Sequence, residues 1–337
     1  MLMNNYFILP TDQKRLVLQQ VSDKVSLPIQ AIEKDIWVST ILQLIFSLPI
    51  AEWLIFKGGT SLSKVWGVIQ RFSEDIDLAL DRKCFGYEGD LTKKQLKVLR
   101  KKSSVFVRDE LANQLSLVIH QHGLSNQCSV MAEADGEGDA TYPEPRKLMV
   151  YYESVIPNPI SYLRPMIQLE IGARSLFEPF QKCPVNSIVE QQFPNIQTSL
   201  LDMQVATSIP EKTFLEKVFL LHELFSVNRV MTNASRKSRH LYDLDAMMRS
   251  GIAERAIHNI ELWETIRHHR QLFTSVNGVS YDADMRKQLI LCPPADSVAI
   301  WREDYQDMCN TMIYGVKPTF DELIAQVHAL EQQFRDS

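Results

Sequence analysis

Two aspartates one residue apart in a β-period run, within EDIDLAL at residues 74–80, limit what this chain can fold into more than any other stretch. Alternation places Asp75, Asp77 and Ala79 on one face of a strand, and Ile76, Leu78 and Leu80 on the other. Side chains two apart on a strand stand about 6.5 Å from each other. Two unit charges at that spacing repel by roughly 2–3 kcal/mol at an effective dielectric of about 20. That is a large cost against the roughly 5–15 kcal/mol that keeps a protein folded. Either the strand end lies in water, where the repulsion drops below about 1 kcal/mol, or a divalent cation uses the pair. Mg²⁺ suits such a place, since it prefers carboxylate oxygens and substrate phosphates.

Upstream, FKGGTSLSK sets Gly58 and Gly59 behind a short apolar run, with Thr60, Ser61 and Ser63 following as a helix begins. The glycines permit positive φ or close backbone approach, and the N–H groups of such a turn suit a phosphate. The G-x4-G-K-[ST] order is absent, so this is not a P-loop.

The neighbouring patterns build a mixed α/β first half. Thr11 to about Leu27 and Ile29 to Leu48 read as helices, the second apolar on one side after a charged start. WLIFKGG is a short strand, SLSKVWGVI a helical segment, and 91–122 a helix carrying the basic run KKQLKVLRKK. That run reads as a solvated helix face, with nucleic-acid contact as the alternative. Two strands surround the polar loop in QCSVMAEADGEGDATYPEPRKLMVYYESV, and PMIQLEIGARS is another strand. Beyond about residue 180 the chain turns helical, near 209–228, 238–249, 252–273 and 320–335. The expected division is 1–180 and 181–337, with the boundary inside 176–200.

Three further positions carry chemistry. Glu170 lies on the polar side of its strand with Met166 and Gln168, and a third carboxylate there would complete a two-metal phosphoryl- or nucleotidyl-transfer site. The plain alternative is a surface residue. SIPEKTFLEKVFLLHELF opens with a capping-box pattern, Ser208 and Glu211, with Pro210 in the first turn. On its helical wheel Lys217 falls inside an apolar arc, between Leu224 and Leu221. Such a lysine either snorkels out or serves a cleft where its charge meets phosphate. In SRHLYDLDAMM, Arg239 and Asp243 stand at i and i+4. They form a helix ion pair, or Arg239 touches phosphate while Asp243 orients Lys217 or a hydroxyl nucleophile. His240 beside them has no partner at metal-ligand spacing, and the HQH and RHHR clusters, His120, His122, His268 and His269, read as surface histidines without a ligand set.

Composition excludes several classes. A net charge of −5 leaves nucleic-acid binding to a local patch. The five cysteines, Cys84, Cys128, Cys183, Cys292 and Cys309, include no CxxC pair, which argues against a disulfide framework or zinc knuckle and fits a reducing cytoplasm. No apolar run approaches the ~20 residues that span a bilayer. A soluble, cytoplasmic protein is expected.

In order, IEKDIWVSTIL, FKGGTSLSKVWGVIQRFSEDIDLAL, IQLEIGARS, PEKTFLEKVFLLHEL and SRHLYDLDAM resemble the AbiEii/AbiGii toxin family of nucleotidyltransferases over about residues 29–250. These are toxin halves of bacterial toxin–antitoxin and abortive-infection systems. The resemblance implies an α/β (α+β) fold: a DNA-polymerase-β-like nucleotidyltransferase domain with a mixed sheet, followed by a helical C-terminal domain lending Lys217 and Asp243 to the cleft. It implies an NTP held by Lys57, Gly58, Gly59, Thr60, Ser61 and Arg239, and Mg²⁺, two ions, on Asp75, Asp77 and Glu170. Lys217 and Asp243 match later motifs needed for activity. His240 stands where the family often has Asp. The implied reaction is nucleotide transfer to an acceptor hydroxyl, the tRNA 3′ end in some relatives, with a cognate antitoxin as partner. A protein or small-molecule acceptor, and a catalytically silent NTP- or partner-binding module, are the alternatives.

Overall fold

A computed structural model describes residues 4–137, 141–157, 163–227 and 235–337. The chain forms two compact units, Met1–Val65 with Ser73–Ser208, and Trp66–Phe72 with Ile209–Ser337.

The first unit contains β1 (Asn4–Asn5), α1 (Thr11–Val25), α2 (Ile29–Phe46), β2 (Leu54–Lys57), α3 (Gly58–Lys64) and β3 (Ile76–Leu80). After these come α4 (Lys93–Phe106), α5 (Ala112–Gln121), β4 (Cys128–Ala132), β5 (Arg146–Tyr152) and β6 (Met166–Gly172). It ends with β7 (Phe180–Pro184), α6 (Ile188–Gln192), β8 (Ile196–Gln197) and β9 (Gln204–Ser208). Seven strands make one sheet in the order β4-β5-β6-β3-β2-β9-β7, while β1 and β8 pair separately. The β3–β6 and β2–β9 pairs are parallel and the others antiparallel, so the sheet is mixed, as expected. The stretch 181–208 belongs to this unit because β7 and β9 pair into the sheet, and the helical unit begins at Ile209. Part of the polar loop between β4 and β5, residues 138–140, lies outside the described residues.

One face of the sheet is core: Ile76, Leu78, Leu80, Leu148, Val150, Ile167, Leu169 and Ile171 are all buried. Helices α2 and α5 pack against β6, β9 and β4. The sequence suggested a one-sided α2, but the helix is buried on all sides from Ala31 to Phe46. Its polar residues are accommodated by partners. Glu33 accepts from Ser154 Oγ (2.6 Å) and Val155 N (2.7 Å). Asp35 pairs with Lys64 (2.5 Å), and Gln43 Oε1 accepts from Leu200 N (2.9 Å). Lys34 is ion-paired with Glu74, which fixes the chain immediately before Asp75.

Two expected helices are interrupted. The 91–122 stretch contains a π-helical turn, Val107–Leu111, between α4 and α5. The expected 61–69 helix instead spans Gly58–Lys64, and Gly67, at φ +62°, sits beyond its end.

The second unit holds α7 (Pro210–Ser226), α8 (Arg239–Arg249), α9 (Ile252–His258), α10 (Ile260–Phe273), α11 (Val298–Thr311) and α12 (Phe320–Asp336). Asn259 separates α9 from α10 because its side chain caps the latter, accepting from Leu262 N at 3.0 Å. The capping box expected at Ser208 is not formed. Ser208 closes strand β9 opposite Phe180, the N-cap is Ile209, and Glu211 pairs with Arg255 at 2.7 Å. The segment 66–72 is tied into this unit: Phe72 N donates to Met312 O (2.8 Å) and Arg71 bridges to Ile313. Among the described residues no helix is long and apolar enough to cross a membrane.

Candidate active site

The strand registers build the sheet site. Asp77 on β3 lies opposite Lys57 on β2 and beside Glu170 on β6, and Glu170 lies opposite Lys147 on β5. Four adjacent strands therefore carry a row Lys57–Asp77–Glu170–Lys147, two carboxylates flanked by two cations. Each of the four is half-buried, and each strand turns its other face into the core. Glu170 Oε1 accepts from Gln168 Nε2 (2.9 Å) and lies 3.5 Å from Lys147 Nζ. Asp75, also half-buried, sits just before β3 rather than inside it.

Gly58 has φ +80°, a region that L side chains enter at a cost of roughly 1–2 kcal/mol. A Cβ at this position would lie 2.1 Å from Asp77 Oδ2 and 3.1 Å from Asp77 Cβ. The residue must be glycine for both reasons, and the turn rests directly on the Asp77 carboxylate. Gly58→Ala is expected to displace that carboxylate and to lower any activity of this site on the order of 100-fold. Steady-state kinetics beside a thermal melt would check this, with the melt showing a cost of only about 1–2 kcal/mol.

The turn hydroxyls point inward. Thr60 Oγ1 donates to Asp75 O (2.5 Å) and lies 2.9 Å from Ser73 Oγ, while Ser61 Oγ donates to Gly58 O (2.8 Å). Both residues are buried. The hydroxyls expected to meet phosphate are thus engaged in holding Asp75 and the glycine turn, and Gly58, Gly59 and Ser63 are the half-exposed members.

The helical unit holds a second constellation. Asp243, fully buried, accepts a bidentate fork from Arg71, Nε to Oδ1 at 2.7 Å and Nη2 to Oδ2 at 2.8 Å. Its Oδ2 also lies 2.9 Å from Lys217 Nζ, which is 3.5 Å from His240 Nδ1. Burial pushes the Asp243 carboxyl up, but the Arg71 and Lys217 charges outweigh it and hold the group well below the ordinary carboxylate range. Lys217 is pushed down by burial, against Asp243, with Arg71 and Arg239 adding to the lowering. Sequence reasoning found Lys217 and Asp243 but missed Arg71, whose pairing spans 172 positions and leaves no local signal. It missed Lys147 as well. Only the strand register sets Lys147 beside Glu170.

His240 is neutral at ordinary pH: burial first, then the Lys217 and Arg239 charges, depress its pKa well below 6.5. The unfolded chain takes up a proton here as pH falls through about 6.5 while the folded chain does not. The stability tied to the neutral ring is therefore full above that pH and lost below it. Burial lowers His222 too, with the same sign. Melting temperature should drop between about pH 7.5 and about pH 5.5, and by less in His240→Asn; a pH series of melts reads both.

Among the described residues, the set of three potential metal ligands whose atoms all lie within 4.8 Å of one another is Cys292, His328 and Glu331. These groups are engaged without an ion. Glu331 accepts from Leu291 N (2.5 Å) and Cys292 N (3.3 Å) and meets His328 Nδ1 at 3.0 Å. Burial pushes the Cys292 thiol up, and it donates to Ile324 O at 3.8 Å.

The family model described as "Nucleotidyl transferase AbiEii toxin, Type IV TA system" matches residues 43–326. No curated protein matches the chain. Among solved structures, MenT4, a nucleotidyltransferase toxin from Mycobacterium tuberculosis H37Rv, aligns over 97% of this chain and 98% of its own at 13% identity and a TM-score of 0.49.

Proposed function

The chain belongs to the AbiEii nucleotidyltransferase toxin family of type IV toxin–antitoxin systems, and on that premise we propose that it moves a nucleotide from an NTP to the 3′ end of tRNA in the cytoplasm, with Mg²⁺ and a cognate antitoxin as partners. The observation that carries the reading is the pairing of Asp77 with Glu170 in adjacent strands, with Gly58 set against the Asp77 carboxylate. Hard oxygen donors of this kind, half-buried on a sheet face, fit magnesium rather than a softer metal. Asp75, Asp77 and Glu170 would hold it. Bound there, Mg²⁺ supplies charge neutralisation at the α-phosphate and at the leaving pyrophosphate.

The chain's own residues account for the rest. The Lys57–Ser61 turn lets phosphate approach the backbone at Gly58 and Gly59. Within the helical unit, Asp243 orients Lys217, and Lys217 and Arg239 are that unit's candidate nucleotide-binding cations. The acceptor oxygen bonds to the α-phosphorus as the bond to the β-phosphate oxygen breaks, and pyrophosphate carries away the displaced charge. Glu170, if not spent as a ligand, takes the hydroxyl proton, and Lys147 beside it balances its charge.

The test incubates the purified protein with each NTP labelled at the α-phosphate, Mg²⁺ and total bacterial RNA, beside Asp77→Asn. A labelled tRNA-sized product with one NTP, absent in the variant, is expected. Label on protein with none on RNA would move the acceptor and keep the chemistry. NTP binding without any labelled product would overturn the enzymatic assignment of the site.

A further inference from the structure

The carboxylate row continues into a surface of a different character on the same face of the same sheet. Along β6, Met166 and Gln168 precede Glu170; along β5, Met149 and Tyr151 follow Lys147. The registers align Gln168 with Met149 and Met131, and Met166 with Tyr151 and Ser129. The opposite face of these strands is core, and this one is not: Met131 is 58% and Tyr151 43% exposed, and Met149, Met166 and Gln168 are half-buried. A water-facing side of an antiparallel ribbon is ordinarily polar. Here it presents three thioethers, a phenol ring and one amide in an unbroken patch that ends at Glu170.

We infer that this β4–β5–β6 face is the platform on which the unpaired 3′ end of an RNA acceptor lies, its bases against Tyr151, Met149 and Met131 while its terminal hydroxyl reaches Asp77 and Glu170. The inference rests on the nucleotidyl-transfer reading and adds to it where the acceptor is held. An aromatic ring on an open sheet face stacks bases irrespective of sequence, and thioethers pack favourably at ring edges. Gln168 offers an amide to base edges and Lys147 a charge for the backbone. Strand spacing and rise put Tyr151 roughly 16 Å from Asp77 along the face, within reach of a short single strand. The patch runs into the Asp77–Glu170 pair, so a strand lying on it ends beside the carboxylates.

The probe is a short single-stranded RNA with a free 3′ hydroxyl and 4-thiouridine close to its end, photocrosslinked to the full-length protein and mapped by peptide mass spectrometry. Crosslinks are expected within residues 128–132 or 146–152. Tyr151→Ala should raise the KM for RNA roughly tenfold, the scale of one lost base stack, without moving the KM for NTP. Tyr151→Phe, which keeps the ring, should restore it. Tyr151 is exposed, so truncation leaves the core packing in place, and an unchanged melt would verify that. Crosslinks elsewhere, or an unchanged KM for RNA in both Tyr151→Ala and Met149→Ala, would overturn the platform while leaving the transferase reading intact. Crosslinks on the platform with no nucleotide added to any RNA would do the reverse. Label appearing on a protein acceptor, with no RNA crosslink, would overturn the assignment of this face to RNA.

Discussion

Asp77→Asn should abolish nucleotide transfer, by on the order of 1,000-fold or more, and leave the fold at least as stable as before. Asparagine keeps the shape against which Gly58 packs, so geometry is preserved and only charge is removed. The loss in rate follows from the metal-ligand role, where neutralising transition-state charge is worth several kcal/mol, and each 1.36 kcal/mol is about tenfold in rate. The stability result follows from repulsion. Asp77 stands directly beside Glu170 on the neighbouring strand, and at the strand spacing of about 4.8 Å that pair costs roughly 3–4 kcal/mol at an effective dielectric of about 20 if water does not screen it. Lys57 and Lys147 offset part of this cost. Activity assays paired with denaturant melts decide the matter. An inactive variant that is also strongly destabilised would make Asp77 a structural residue, and a fully active one would remove metal binding from this strand.

The second large effect belongs to Asp243→Ala, and there stability and activity should fall together. The substitution leaves Arg71 and Lys217 facing each other without the carboxylate they share. Breaking a buried pair by deleting one partner costs roughly 3–5 kcal/mol, because the orphaned charge stays buried. For a unit of this size the melting temperature should fall by about 10 °C. Arg71→Lys retains the charge but not the two-pronged contact, so it should fall between wild type and Asp243→Ala. Pairing Asp243→Asn with Lys217→Met should cost less than the sum of the single changes, since the groups act as one network. Strictly additive losses in that cycle would contradict the network.

Local periodicity made much of the fold legible. The alternation in IDLAL and MIQLEIG separated core faces from open ones, and α1, α7, α8 and α12 begin within two residues of their sequence signals. What escaped was non-local or orientational. Nothing near Lys147 says which strand will lie beside it, because the order β4-β5-β6-β3-β2-β9-β7 is fixed by packing between segments far apart in sequence. The Arg71–Asp243 fork has the same origin. Thr60 and Ser61 were read correctly as residues of the glycine turn, yet their rotamers face inward, which residue type cannot reveal. Ser208 misled because a serine before a helix can equally be the last rung of a strand.

The seven residues Trp66–Phe72 give the molecule a property that its two-part organisation would otherwise conceal. The polypeptide enters the helical unit, lends it Arg71, and goes back to the sheet before committing to the helices at Ile209. A fragment ending at Ser208 keeps the guanidinium without its carboxylate, and one beginning at Ile209 keeps the carboxylate without its guanidinium. No single cut yields two whole pieces, so the helical part cannot be exchanged as a cassette between relatives by simple recombination at one junction. A swap that preserves function has to carry the short early stretch along with it.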